Sequence, residues 1–73
     1  MKSGDRVFIR PESSMRFGGH IGILVKVDYK SELPYRITFD ASYSVVYGFG
    51  YVEVLTMDEA VKFYPKEVNK HGN

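Results

Sequence analysis

Four strand-like blocks decide the fold: Gly4-Asp5-Arg6-Val7-Phe8-Ile9-Arg10, Ile21-Gly22-Ile23-Leu24-Val25-Lys26-Val27-Asp28, Pro34-Tyr35-Arg36-Ile37-Thr38-Phe39 and Asp58-Glu59-Ala60-Val61-Lys62-Phe63. β-Branched and aromatic residues are frequent in these blocks, and they favour strands because they pack well on a pleated, half-buried surface. Polar segments separate the first three blocks, and the longer of these segments contains two glycines. The order of the blocks predicts an all-β domain folded as a small antiparallel β-barrel.

Alternation within the blocks predicts which side chains share a face of the sheet. In the first block, Val7 and Ile9 alternate with Arg6, Phe8 and Arg10, as expected for a half-buried strand. The second block predicts a strand over residues 21–29 with two opposite faces. One face holds Ile21, Ile23, Val25 and Val27, and the other holds Gly22, Leu24, Lys26 and Asp28. A glycine within this strand predicts a bend, as small barrels need at their corners.

The segment between the third and fourth blocks is ambiguous. Large side chains occupy every second position, at Tyr43, Val45, Tyr47, Phe49 and Tyr51. An extended backbone would put all five on one face. The glycines at positions 48 and 50 make a bent strand and a long aromatic loop equally compatible with the sequence. We expect a fourth strand over residues 51–55.

Residues 56–59 carry the spacing of a helix N-terminal capping box, with Thr56 followed three residues later by Glu59. Pro65 follows soon after and would break a helix. We therefore predict one helical turn over 56–59 and a short fifth strand over 60–64. The domain would then cover residues 1–65, with a flexible polar tail over 66–73 that contains His71.

Composition limits the class of protein. The 73 residues have room for one domain, and without cysteine there is no disulfide or thiolate metal site. No apolar run approaches the roughly 20 residues that span a bilayer, and the first residues do not open a signal peptide. A net charge of +1 lacks the excess of basic residues common in nucleic-acid-binding domains. We expect a cytoplasmic monomer with no membrane partner.

The blocks resemble a known family in their order and spacing. Gly4-Asp5-Arg6-Val7 leading to Arg10-Pro11-Glu12-Ser13 is similar to the opening of the small photosystem I subunit PsaE, and the later blocks recur in that family's order. In size and style, the chain more closely resembles the prophage-encoded YorP-type family of Bacillus. The resemblance covers roughly residues 4–64. It implies a five-stranded antiparallel SH3-like barrel with one short helical turn before the last strand.

Catalysis is not predicted. His20 would need Ser13, Ser14 or Ser44 beside it and an acid to orient it, and the spacing suggests no such group. Asp58 and Glu59 are adjacent, which suits a helix N-terminus better than a pair of catalytic acids. No metal-ligand spacing and no phosphate-binding glycine pattern occurs. We predict a protein without enzyme activity, cofactor or metal.

Binding is the more credible class of function. SH3-like barrels present loops beside aromatic grooves on which extended peptides dock. Tyrosine and arginine are common at interface hot spots. The candidate protein-binding or peptide-binding residues are Arg16, Phe17, Tyr43, Tyr47, Phe49 and Tyr51. The alternative interpretation is that these rings only cover the barrel end and pack on one another.

Two further partners are compatible with the sequence. A nucleic acid could stack on the same tyrosines while its phosphates contact basic side chains on the outer strands. Strand parity puts the candidates for that role on one outer surface: Arg6, Arg10, Lys26 and Arg36. A self-associating protein could instead use an exposed edge strand. The resemblance is lost between the third and fourth blocks, so we expect a specific function to reside there.

Overall fold

The computed structural model describes residues 1–69, and His71 of the predicted tail lies outside them. The five strands are β1 (Arg6–Ile9), β2 (Ile21–Val27), β3 (Tyr35–Thr38), β4 (Tyr47–Phe49) and β5 (Val54–Thr56). They form one antiparallel sheet in the order β4-β3-β2-β1-β5. The predicted five-stranded antiparallel sheet is therefore confirmed. No pairing within residues 1–69 joins β4 to β5, so the sheet is open rather than closed.

The chain after β4 differs from the prediction. A single 3-10 turn, Tyr51–Glu53, occupies most of the predicted fourth strand, and the actual fourth strand ends at Phe49. A helical turn does precede the last strand, but it lies at 51–53 rather than 56–59. The last strand is Val54–Thr56, and the predicted fifth strand over 60–64 is wrong because those residues belong mainly to a helix.

Two short helices end the described chain: α1 (Met57–Phe63) and α2 (Pro65–Asn69). The capping box identified from the sequence begins α1: Thr56 Oγ1 accepts from the Glu59 amide at 3.1 Å, and the Glu59 carboxylate accepts from the Thr56 amide at 2.9 Å. Pro65 opens α2, where a missing N–H costs nothing. None of the helices within residues 1–69 has the length and apolar character to cross a membrane.

Buried clusters lie on both faces of the sheet at β1 and β5. The larger buried cluster contains Val7, Ile9, Leu24, Ile37, Phe49 and Val54. The second cluster is centred on Phe8, Leu55 and Ala60, on the opposite face of β1 and β5. Met57, Tyr64 and Val68 pack against it, so α1 and α2 cover this face. Phe8 alternates with Val7 and Ile9 as predicted, but its face is buried by the helices.

A β-bulge in β2 reverses the predicted faces beyond Val25, whereas residues 21–24 alternate as predicted. Leu24 pairs with Ile37 and Lys26 pairs with Arg36, so Val25 has no residue opposite it. One extra residue in a strand reverses the alternation beyond it. Before the bulge the core face holds Leu24, which is fully buried, and after it the core face holds Val27. The assignment of Leu24 to the face opposite Val27 is therefore wrong.

Candidate functional site

The loop between β1 and β2, residues 11–20, is held by its own backbone. The Gly19 amide donates to the Ile9 carbonyl at 2.8 Å, which anchors the loop to β1. Ser14 Oγ accepts from the Phe17 amide at 3.0 Å, and the Phe17 carbonyl accepts from the His20 amide at 2.9 Å. These bonds fix the backbone around Phe17 and turn its ring toward the sheet.

Four rings close one end of the larger cluster, and we call Phe17, Phe39, Tyr47 and Phe49 the ring cluster. Phe17 stacks on Phe39 with centroids 4.2 Å apart and planes 5° apart, and Tyr47 lies 4.6 Å from Phe17. Phe49 meets Phe17 edge-on at 6.2 Å and is only 5% exposed. These contacts bury aromatic surface and explain the rings without a partner.

Arg16 lies over the ring cluster. Its guanidinium carbon is 5.0 Å from the centroid of Phe17 and 5.3 Å from that of Tyr47. These distances allow cation–π attraction to both rings. The structure therefore brings together four of the six predicted binding residues: Arg16, Phe17, Tyr47 and Phe49. The other two, Tyr43 and Tyr51, lie apart from this group.

Tyr51 belongs to a different group of rings. Its ring meets Tyr35 edge-on, with centroids 5.5 Å apart and planes 81° apart. Burial raises the pKa of the Tyr35 phenol, and the nearby hydroxyls of Tyr51 and Tyr29 raise it further. Tyr29 is also near, because the amide of the preceding Asp28 donates to the carbonyl of Pro34, the residue before Tyr35, at 2.8 Å. We call Tyr29, Tyr35 and Tyr51 the tyrosine surface. Tyr29 is 72% exposed and Tyr51 is 52% exposed.

The sequence-based candidates did not include Tyr29 or Tyr35. A usable signal was present, because the two residues flank the short connection between β2 and β3. Val27, the last residue of β2, pairs with Tyr35, so Tyr29, two residues beyond β2, lies close to the start of β3. The 3-10 turn then adds Tyr51, and no sequence pattern had predicted that turn at 51–53.

Tyr43 lies in the loop between β3 and β4 and has a positive φ of 58°. The Asp40 carboxylate shapes this loop: it accepts from the Ser42 amide at 3.0 Å and from the hydroxyls of Ser42 and Ser44, each at 2.7 Å. These hydrogen bonds lower the pKa of Asp40 to about 2, the Ser42 amide contributing most. Residues 43–46 therefore form a loop, one of the two alternatives that the sequence left open, and only Tyr47–Phe49 form a strand.

The four basic residues proposed for nucleic acid have different surroundings. Lys26 lies directly opposite Arg36, which donates to Ser31 Oγ at 3.4 Å. Arg10 is engaged elsewhere: its Nε donates to the Val52 carbonyl at 2.7 Å and its Nη1 to the Tyr64 hydroxyl at 3.3 Å. Arg6 is exposed on β1 opposite Ile23. Lys26 and Arg36 are the two that register brings together.

The Tyr64 hydroxyl links Arg10 to an acid. It donates to the Glu12 carboxylate, with both oxygens 2.9 Å away. The pKa of Glu12 is lowered, first by a backbone N–H hydrogen bond and then by this phenol, with a smaller contribution from the Arg10 charge. Arg10 is therefore part of a link between the β1–β2 loop and the segment after α1, which is a structural role.

The serines considered for catalysis are used in turns. Ser13 Oγ donates to the Arg10 carbonyl at 2.9 Å, Ser14 Oγ accepts the Phe17 amide, and Ser44 Oγ donates to Asp40. The His20 ring lies edge-on to Phe17 with centroids 6.2 Å apart. Within residues 1–69 no three His, Cys, Asp or Glu side chains are grouped so that they could hold a metal ion.

Comparison with known proteins adds no relative. No protein-family model matches the chain, and no curated protein or solved structure matches it. The tyrosine surface and the other exposed features of the molecule are thus the observations from which a function can be inferred.

Proposed function

We propose that the protein is an SH3-like barrel whose curved sheet is left open between its edge strands, β4 and β5. Two features support this proposal: the strand order β4-β3-β2-β1-β5 and the 3-10 turn Tyr51–Glu53 between β4 and β5. Kinship with the prophage-encoded YorP-type family, and more distantly with PsaE, is part of the same proposal. That kinship rests on the sequence blocks alone.

We further propose that the protein is a non-catalytic interaction module that binds an extended segment of another protein at the tyrosine surface. The observation that carries this proposal is the exposure of two rings at one place, since Tyr29 is 72% and Tyr51 is 52% exposed beside half-buried Tyr35. An exposed cluster of large rings is a common feature of binding surfaces. Tyrosine also presents a rigid apolar face and a hydroxyl at a small cost in side-chain entropy.

The tyrosine surface suits a partner better than the ring cluster does. In the ring cluster, Phe17 and Phe39 cover each other's faces and Phe49 is buried. The Arg16 guanidinium lies over the rings of Phe17 and Tyr47. Rings that are already stacked and covered gain little from a new contact, whereas the exposed rings at the tyrosine surface would lose water-exposed apolar area on binding.

The chemistry of the tyrosine surface favours an extended segment with hydrogen-bond acceptors and apolar side chains. The Tyr35 phenol is protonated at neutral pH, as tyrosines ordinarily are, and burial raises its pKa further, so it can donate a hydrogen bond. An extended peptide exposes backbone carbonyls that accept such bonds, and its side chains fit between rings held edge to face. The Glu59 carboxylate also contributes to the raised Tyr35 pKa, so it makes the potential there more negative.

The test uses a random-peptide display library selected against the wild-type protein. Selected peptides are then measured for affinity to the wild type, Tyr51→Ala and Tyr43→Ala. Tyr43 is a matched control, since it is 53% exposed and Tyr51 is 52% exposed. Losing one hot-spot ring costs about 2 kcal/mol or more, so we expect affinity to fall roughly 30-fold in Tyr51→Ala and to stay within about twofold in Tyr43→Ala. Equal loss in both variants, or no selected peptide, would refute the tyrosine surface as the site.

Nucleic acid is the second candidate because two like charges face each other. Lys26 and Arg36 are directly opposite across β2 and β3, and like charges in that position destabilise a sheet. An anionic ligand would relieve this repulsion. The affinity for single-stranded oligonucleotides should then fall steeply as the salt concentration rises. It should also be lower in Lys26→Ala than in the wild type. Peptide binding at the tyrosine surface would depend on salt much less.

A further inference from the structure

Strand β4 is an edge of the sheet with an unprotected outer side. It pairs with β3 through Tyr47, Gly48 and Phe49. Within the described chain, these three residues make no backbone hydrogen bond to any segment other than β3. Alternate residues of a strand direct their N–H and C=O groups to opposite sides, so part of the backbone of β4 is open to another strand.

The chain around β4 carries no charge. From residue 41 to residue 52 there is no Asp, Glu, Lys, Arg or His, and no proline. Val45 and Val46, directly before β4, are 47% and 42% exposed. Natural edge strands are usually protected by lysine, proline, a bulge or a covering element. Among these defences β4 has only its short length of three residues.

The opposite edge of the same sheet differs. Strand β5 is flanked by Glu53 and by Asp58, and α1 begins at the residue immediately after it. Ala60 of α1 packs with Leu55 of β5 in the second cluster. The edge at β5 thus has charges on both flanks and a helix that begins where the strand ends, and β4 has neither.

We propose that β4 is a homodimer contact, in which β4 of a second copy pairs antiparallel with β4 across a two-fold axis near Gly48. This proposal replaces the monomer expected from the sequence and does not depend on the tyrosine surface. A second copy fits because its edge is equally uncharged, so no charge is buried without a partner. A foreign strand with acidic or basic residues would find no complementary charge along residues 41–52.

The symmetry of this pairing accounts for the exposed valines. With the axis near Gly48, Tyr47 of one copy lies opposite Phe49 of the other, and the same contact recurs on the other side of the axis. Val46 would lie opposite Gly50 of the second copy and lose exposure, and Val45 would lie beside the end of the paired segment. The two sheets would become one continuous sheet of ten strands, twice the five of one chain.

The first test is sedimentation velocity over a range of concentrations with the wild type, Val46→Lys and Val61→Lys. Lysine at position 46 would lie opposite the uncharged Gly50 of the second copy and put a charge on each flank of the paired segment, which is how natural edge strands oppose pairing. Val61 lies on α1 and is 55% exposed, so Val61→Lys is the matched control. We expect the wild type and Val61→Lys to dimerise with rising concentration and Val46→Lys to remain monomeric. A wild type that stays monomeric up to about 1 mM, or a Val46→Lys dimer as stable as that of the wild type, overturns the proposal.

The second test does not depend on any variant folding. Amide hydrogen exchange of the wild type is measured at low and high protein concentration. Pairing at the edge should slow exchange in residues 45–49 at high concentration and leave α1 unchanged. Slowing at α1 without slowing at 45–49 would assign the dimer to another face and refute the contact through β4.

Discussion

Phe17 lies flat against Phe39, with ring centroids 4.2 Å apart and planes only 5° apart. Phe17 comes from the loop between β1 and β2, and Phe39 directly follows β3. The stack therefore ties the loop between β1 and β2 to the end of β3. It also closes the end of the larger buried cluster, against which both rings pack.

Phe17→Ala should lower the free energy of unfolding by about 2–3 kcal/mol, somewhat less than for a fully buried phenylalanine, because it removes the stack and leaves the cluster open. Urea denaturation followed by circular dichroism measures this change. Met15→Ala, in the same loop, is the control, since Met15 is fully exposed and should change stability by no more than about 0.5 kcal/mol. Similar losses in both variants would mean that the stack contributes little.

Gly22→Ala should be strongly destabilising because β2 passes too close to the ring cluster for a side chain. A Cβ at position 22 would lie 2.6 Å from Cγ2 of Ile37 and 2.8 Å from Cε1 of Phe39. Overpacking of this kind costs about 1–3 kcal/mol. Gly50→Ala is the matched control, since its Cβ would meet only the flexible Glu53 side chain, at 3.2 Å. Equal thermal unfolding midpoints for the two variants would mean that a Cβ at position 22 is accommodated without a loss of stability.

The strands that the sequence predicted well are those with a simple two-residue period. The alternation of Val7 and Ile9 was sufficient to identify β1, and the apolar positions of the third block identified β3. The bulge at Val25 could not be predicted from that period. An extra residue leaves the composition of a strand nearly unchanged and reverses its faces beyond the bulge, which is why Leu24 and Val27 were assigned to opposite faces.

The chain end was mispredicted for a different reason. Pro65 was expected to leave room for only one helical turn, but α1 fits seven residues, Met57–Phe63, before it, and Pro65 then opens α2 at a position where proline is tolerated. Residues 61–63 also have the composition of a strand, and Ala60 is buried only because Phe8 and Leu55 lie on the face that α1 covers. Tertiary contact of this kind overrides local preference.

The candidate site was predicted in part. Tyr47 and Phe49 come together because residues at every second position of a strand share a face, and the loop between β1 and β2 adds Arg16 and Phe17. Tyr51 separates from them because the 3-10 turn begins there, and it joins Tyr35 instead. The chain reversal at that turn depends on the Glu53 carboxylate accepting from the Gly50 amide at 2.7 Å, a contact without a distinctive sequence pattern.

Thr56→Ala should lower the free energy of unfolding by about 1 kcal/mol, since it removes the side chain that caps α1. Glu59→Gln is the control that keeps an acceptor oxygen in the capping box, and it should lose less. The pKa of Glu59 is lowered, chiefly by its hydrogen bond to the Thr56 amide. The wild type should therefore lose this stabilisation as the pH falls below about 4.5, whereas Glu59→Gln should not. Urea denaturation at pH 7 measures the loss of the Thr56 cap, and the comparison with pH 3 measures the effect of protonating Glu59. A Thr56→Ala protein as stable as the wild type at pH 7 would contradict the cap.

Asp40 should make the folded state sensitive to acid in a defined range. Its pKa in the folded protein is lowered from 3.8 to about 2, because the carboxylate accepts hydrogen bonds from Ser42 and Ser44. A lowered folded pKa stabilises the folded state above the unfolded pKa, and this contribution disappears as the pH falls from about 3.8 to about 2. The side-chain carboxyl signal of Asp40 should therefore titrate with a midpoint near 2 in an NMR experiment on the folded protein. Ser44→Ala removes one donor and should raise that midpoint, while Asp40→Asn should flatten the loss of stability over the same range. A midpoint at the ordinary value of 3.8 would mean that these hydrogen bonds are not formed in solution.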